Sequence, residues 1–288
     1  MSPKATQSRR TFFVFASIIS LLAFALSSCS QSTNDETASA SCAKADLQTL
    51  NAGTLTIATG QPAYYPWIID DKPESGEGFE AAVAYAVAEK LGFTKDEVTW
   101  VRTTFDGAIA PGDKTFDFNL QQFSITDERK NAVDFSTPYY TAPQAIVSFK
   151  GSKIAKATTL TELKSAKLGA AVGTTSLDAI SNQIGGTPQV FNDNAAAVSA
   201  LKNKQIDGLV VDLPTAFYLS AVEVPNGLIV GQLPSTGSGD QFGLLLAKGS
   251  PLTACVSQAV DAITADGSLD SITTKWLSTD AGAPILKP

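Results

Sequence analysis

Short apolar runs of strand type alternate with helix signals from Leu55 to the C-terminus, and this alternation is what most constrains the fold. Leu55 and Ile57 alternate in a first strand, which runs into the loop Gly60-Gln61-Pro62-Ala63-Tyr64-Tyr65-Pro66-Trp67. From Glu80 to Leu91, Val83, Val87 and Leu91 share one helical face, and Gly92 supplies the stop. Val98 to Val101 predicts a second strand, and Phe116, Phe118 and Leu120 alternate in a third. Lys167 to Val172 and Ile206 to Val211 read as short buried strands of the parallel type. Gln241 to Ala247 adds another, Ser250-Pro251 reads as a helix start, and Leu269 to Leu277 closes the chain as helix. Such a series builds an α/β body, not an all-α or all-β one.

The N-terminal stretch is a targeting device rather than part of that body. Lys4, Arg9 and Arg10 precede an uncharged run from Thr11 to Ser28. Its length would also suit a membrane-crossing helix, so a permanent anchor is the competing reading. Leu26-Ser27-Ser28-Cys29 resembles the lipobox of bacterial lipoproteins. That resemblance implies a signal peptide over residues 1–28 and a lipid on Cys29. Ser8-Arg9-Arg10-Thr11-Phe12 also resembles a twin-arginine export signal, with an ordinary basic n-region as the alternative. Residues 29–45 are expected to be a tether, because Gln31 to Ser41 holds Ser, Thr, Asn, Asp and Ala with almost nothing apolar.

Composition removes several classes of function. The formal net charge is −7 and no basic cluster appears, which argues against a nucleic-acid partner. There is no histidine, so the commonest general base and metal ligand is missing, and no metal or cofactor motif is evident. With Cys29 assigned to lipid, Cys42 and Cys255 remain as a candidate disulfide in an oxidising compartment; two unpaired thiols are the alternative.

Three segments carry binding chemistry. In Ser124-Ile125-Thr126-Asp127-Glu128-Arg129, Thr126 is a natural N-cap and Arg129 sits where the helix dipole disfavours a cation. An anion held at that end would reverse the penalty, and a guanidinium offers it two parallel donors. The bland reading is an exposed Arg129 paired with Asp127 or Glu128. In Ala171-Val172-Gly173-Thr174-Thr175-Ser176, a strand ends at Gly and hydroxyl residues open a helix, as in an anion nest or a simple cap. In Val210-Val211-Asp212-Leu213-Pro214, a carboxylate ends an apolar strand, where ligands of open α/β sheets bind. There the plain alternative is a helix N-cap.

Together these segments resemble the polar-amino-acid solute-binding proteins of ABC importers, the bacterial extracellular solute-binding family 3. Gly78-Phe79-Glu80, the stretch Val133-Asp134-Phe135-Ser136-Thr137-Pro138-Tyr139-Tyr140, Ile206-Asp207-Gly208 and Lys275-Trp276 carry the likeness in its order. The resemblance implies a two-lobed periplasmic-binding-protein fold (type II), with a ligand cleft between lobes and two crossover hinges. The crossings should fall near Thr141 to Pro143 and near Gly237 to Gln241. Lobe 1 would comprise residues 46–141 and 241–288, and lobe 2 residues 142–240.

Carried over position by position, Arg129 clamps the ligand carboxylate, helped by Ser124 and Thr175. Asp212 takes the ammonium, Thr174 lines the same wall, and Tyr64 and Phe105 cover the ligand unless they are ordinary core. Tyr65 and Trp67 are weaker contacts, and Trp67 reads more as core. Gln121-Gln122 departs from the small residues usual before this Ser, and Gln122 is expected to reach the pocket. Pro111 to Thr115 departs from the family's short Leu-x-x-Gly-Lys run. Arg102, Asp106, Gln122 and Gln144 are unranked candidates for the side-chain end. The resemblance implies a monomeric, lipid-anchored, extracytoplasmic protein that is no enzyme, with an amino acid and importer permease subunits as partners. A sensor or adhesin that binds the same ligand, or a dehydratase-type enzyme on the same fold, are the rival functions.

Overall fold

The computed structural model describes residues 41–235, 239–277 and 283–288. The expected signal peptide, Cys29, most of the tether and part of the second crossing lie outside the described residues. Among the described residues no helix is long and apolar enough to cross a membrane.

Two five-stranded mixed sheets organise the body from Ala40 to Pro288. The first contains β1 (Leu55–Gly60), β2 (Val98–Thr103), β3 (Phe118–Asn119), β4 (Val133–Ala142) and β10 (Asp240–Ala247), in the order β2-β1-β3-β10-β4. The second contains β5 (Gln144–Phe149), β6 (Leu168–Ala171), β7 (Gln189–Phe191), β8 (Gly208–Asp212) and β9 (Gly227–Gln232), in the order β7-β6-β8-β5-β9. In each sheet three strands run parallel, and a strand arriving from the other sheet is inserted antiparallel beside them. Only Pro143 separates β4 from β5, so the chain changes sheet within one residue there.

The helices cover the sheets because their apolar faces have nowhere else to go. In the first lobe, α1 (Phe79–Lys90) and α8 (Thr253–Ala265) bury Phe79, Val83, Val87, Val256 and Val260 against Leu55, Ile57, Phe118, Leu244 and Leu246. In the second, α6 (Asn194–Lys202) and α7 (Leu213–Tyr218) cover one face through Val198, Leu201 and Ala216 on Val147, Leu209 and Val211. The other face holds Ile146, Leu168 and Val210 under α4 (Leu160–Leu163) and the helical turn that contains Ile180. Strands buried on both faces explain the unbroken apolar runs read from the sequence. Gly78 has φ of 104°, and a Cβ there would lie 2.4 Å from the Trp67 carbonyl. Only glycine lets α1 start hard against the Tyr64–Trp67 turn.

Three local expectations shift. The third strand contracts to Phe118 and Asn119, because Asp117 is used instead to accept the amides of Leu50 and Thr56 at 2.6 and 2.7 Å. The helix after Ser250-Pro251 begins at Thr253, with Pro251 and Leu252 in a turn before it. The larger correction concerns the C-terminus. Residues 283–288 pair with the second sheet, not the first: the Gln232 amide donates to Pro284 O at 2.7 Å and the Leu286 amide to Gln232 O at 2.9 Å. β9 is an edge strand with backbone groups to satisfy, and Leu286 packs over Gly231, where a Cβ would lie 2.7 Å from its Cγ. The chain therefore changes lobe a third time after α9 (Ser268–Leu277).

Cys42 and Cys255 form a disulfide with a Cα separation of 5.3 Å, clipping the segment before β1 onto α8.

Candidate functional site

A cavity of about 230 Å³ opens between the two sheets, walled by both lobes. Arg129 enters it from α3 (Asp127–Lys130), whose first turn is capped by Thr126 accepting the Arg129 amide at 3.2 Å. The side chain is only 7% exposed, so the exposed-ion-pair alternative is wrong; Lys130 pairs with Asp127 instead. The Arg129 guanidinium donates from Nη1 to Ser124 O at 2.7 Å and from Nη2 to Gly173 O at 2.8 Å. It also lies 5.3 Å from the Phe105 ring centre. Burial lowers its pKa, opposed by the charges of Asp240, Asp178, Asp212 and Glu128. The guanidinium stays protonated in any case.

The facing wall comes from the turn after β6. Gly173 has φ of 71°, a left-handed backbone that favours glycine, and the Asp106 carboxylate of the first lobe lies 2.4 Å from where its Cβ would be. Thr174 caps α5 (Thr175–Ala179): its hydroxyl accepts from the Leu177 amide at 3.2 Å and donates to Ala171 O at 2.8 Å. The hydroxyls of Thr175 and Ser124 meet across the cleft at 3.1 Å.

Asp212 holds the N-cap position of α7 without capping it. Its Oδ1 accepts instead from Gln144 Nε2 at 2.7 Å, and the same nitrogen donates to Asp240 Oδ2 at 2.7 Å. Ser176 Oγ donates to Gln144 Oε1 at 2.6 Å, and Thr175 Oγ1 to Asp240 Oδ2 at 3.0 Å. Burial, followed by the charge of Asp240, pushes the Asp212 carboxyl up to about 8, while Gln144 and Arg129 oppose the shift. Asp212, on the cavity wall, and Asp240 share one carboxamide donor, so this wall is acidic and suits a cation that displaces the Asp212 proton.

Aromatic residues close the remaining sides. Phe105 opens α2 (Phe105–Ile109) and stacks on Phe123 with centroids 4.9 Å apart. Tyr64 lies in the loop after β1, and its hydroxyl, pushed up to about 12 by burial and the Asp193 charge, has no bond of good geometry. The Ala195 amide faces it without meeting that geometry. Trp67 is core, as its type suggests, yet its indole N–H reaches across to Thr215 Oγ1 at 2.8 Å. Tyr65 is 45% exposed and leans on Tyr218 rather than on the cavity.

The eight residues singled out in the sequence, Arg129, Asp212, Ser124, Thr174, Thr175, Tyr64, Phe105 and Gln122, all border this one cavity. Gln122 does so with its polar groups turned away: its amide and carboxamide both donate to Glu80, and its φ is 52°. Of the side-chain-end candidates, Gln144 lies behind Asp212, and Arg102 is tied to Asp71 Oδ1 at 2.6 Å and Gly60 O at 2.7 Å. Asp240 escaped sequence reading, because it follows a Thr-Gly-Ser-Gly run that reads only as loop.

The sequence pattern of the bacterial extracellular solute-binding proteins, family 3, matches residues 55–279. The chain belongs to this family. Among relatives, the probable histidine-binding protein of Campylobacter jejuni is 30% identical over 226 residues, 77% of this chain and 85% of its own. Among solved structures, an ancestral arginine-binding protein bound to glutamine superposes with a TM-score of 0.67 at 33% identity, covering 78% of this chain and 98% of its own. The ancestral amino acid-binding protein AncCDT-1, described as a precursor of cyclohexadienyl dehydratase, gives 0.63 at 31% identity, over 78% and 95% of the two chains. The α/β two-sheet architecture of this family-3 chain is that of periplasmic amino-acid-binding proteins.

Proposed function

We propose that this protein captures a polar L-amino acid outside the cytoplasm and delivers it to the permease subunits of an ABC importer. One observation carries the reading: buried Arg129 and half-buried Asp212 border a single cavity from opposite lobes. A guanidinium can take a carboxylate through two donors, and a carboxylate can take an ammonium. A zwitterion satisfies both and touches both lobes, so it favours their closed arrangement. A simple organic acid would bring no ammonium to Asp212, whose carboxyl would then keep its proton instead of forming a charge pair. The lipid on Cys29 and the tether would hold the body at the membrane surface, near the permease. The same Asp212, once paired with an ammonium, is a poor general base, which favours binding over turnover.

The test is calorimetric titration of the purified chain with the common L-amino acids, alongside analysis of the recovered ligand. Micromolar binding of one or a few, about −8 kcal/mol, is the expected result. Arg129→Ala and Asp212→Ala should each weaken it about a hundredfold or more, since each removes charge-assisted bonds. Failure of every amino acid to bind would reject the zwitterion clamp. A chemically altered ligand would move the dehydratase reading forward. Retained uptake in a deletion strain would favour a sensor.

A further inference from the structure

The cleft lies at one end of the second sheet, and the opposite end has a chemistry of its own. β6 and β8 run parallel and finish at Ala171 and Asp212 on the cavity wall. β5 runs the other way, from Gln144 opposite Asp212 to Phe149. At about 3.3 Å of rise per residue, the starts of β6 and β8 and the end of β5 form a rim roughly 15 Å from the cavity. Lys150 and Lys167 flank these strand ends. Asp207, just before β8, accepts the Lys167 amide at 2.6 Å and pairs with Lys153 at 3.0 Å. Lys204 Nζ stands 5.7 Å from the Phe149 ring centre, and Lys202 ends α6 and pairs with Glu223 at 3.6 Å. Lys164 lies along Gly185, where a Cβ would meet its Cε at 3.6 Å. All of these lysines are exposed.

Among the described residues, Asp207 and Glu223 are the acids that pair with them, which leaves Lys150, Lys164, Lys167 and Lys204 without an ion pair. Glu162 nearby is engaged by the amides of Thr158 and Thr159. The rim is therefore basic in a chain whose formal net charge is −7. Lys150 and Lys167 flank strands, whose dipoles are small, so no helix end accounts for them. Beside them Val222 is 68% exposed, in the helical turn Leu219–Glu223 that leads to Gly227 opposite Phe149.

We infer that this rim of the second lobe docks on an anionic phospholipid surface. At a bilayer interface lysines stay with the phosphates while an apolar side chain such as Val222 enters the acyl boundary. A soluble polyanion offers Val222 no such phase. The cleft is at the other end of the sheet, so a docked chain keeps it free.

The test binds the full chain to vesicles of phosphatidylglycerol or of phosphatidylcholine and reads the acetylation rate of each lysine by mass spectrometry. On phosphatidylglycerol, Lys150, Lys164, Lys167 and Lys204 should react about fivefold more slowly than on phosphatidylcholine. Lys72 and Lys275 of the first lobe should react equally on both. The protection should vanish at about 1 M salt, where charges are screened beyond about 3 Å. Lys150→Gln, Lys164→Gln and Lys167→Gln together replace exposed side chains, so this variant should fold, and Lys204 should lose its protection in it. Equal labelling on the two vesicles, matching protection of Lys72 and Lys275, or protection that survives in the triple variant overturns the docking surface. Equal protection by soluble polyphosphate overturns it too, in favour of a polyanion.

Discussion

At the scale of single residues, the buried acids make the site sensitive to pH in a direction that can be worked out. The Asp212 carboxyl lies at about 8 instead of its ordinary 3.8, with Asp240, Glu80 and Arg129 as the charged groups that act on it. Glu80, raised to about 7 chiefly by burial, shifts the same way. Each folded-state value exceeds the unfolded one, so the folded chain binds more protons between the two. Stability of the unliganded protein should therefore fall as pH rises from about 4 to about 8. An ammonium arriving at Asp212 takes the place of its proton. Affinity should climb with pH up to about 8 and then level off, with close to one proton released per ligand near neutrality. Calorimetry in two buffers of different ionisation heat measures that proton directly. Asp212→Asn keeps an oxygen for Gln144 and mimics the neutral acid, so the unliganded protein should change by no more than about 0.5 kcal/mol at neutral pH. Ligand affinity should nevertheless fall about a hundredfold, which separates the loss of charge from damage to the fold.

Between elements, contacts from lobe to lobe do most to shape the cleft. The Trp67 indole belongs to the first lobe's core, yet its N–H ends on Thr215 of α7. Thr215→Val would leave that donor buried without an acceptor only while the lobes are closed, at a cost of about 1–3 kcal/mol. Stopped-flow release of ligand should accelerate about tenfold with little change in association. This bond joins residues 148 positions apart, and the Gln144–Asp240 bond spans 96. Nothing local encodes such pairs, so neither was legible in the sequence. What was legible rests on neighbours: a cation misplaced at a helix start, a Gly ending a strand, an Asp closing an apolar run. Arg129 and Asp212 were each ambiguous on that basis, and burial with specific partners separated the alternatives. Gln122 shows the limit, because nothing local tells that its backbone amide and carboxamide nitrogen both donate to Glu80, 42 positions away.

For the whole molecule, the disulfide and the path of the chain matter more than any one contact. Cys42–Cys255 closes a loop of 213 residues, which in the chain-entropy model stabilises the fold by on the order of 5 kcal/mol. Reduction, or the paired Cys42→Ser and Cys255→Ser change, should lower the melting temperature by several degrees. Ligand affinity should stay within about twofold, since the bridge lies in the first lobe's core, remote from the cavity walls. The crossings themselves gather in one neighbourhood: Leu233 N donates to Gln144 O at 2.8 Å, and Gln232 Nε2 donates to Ala283 O at 2.6 Å. The extreme C-terminus is thus stitched to the second lobe, although the two helices before it pack on the first. A fluorophore attached after Pro288 would travel with the second lobe, and one on α9 with the first. Two dyes separated by little sequence would then sit on opposite arms of the clamp, and their energy transfer would count ligand molecules as they arrive.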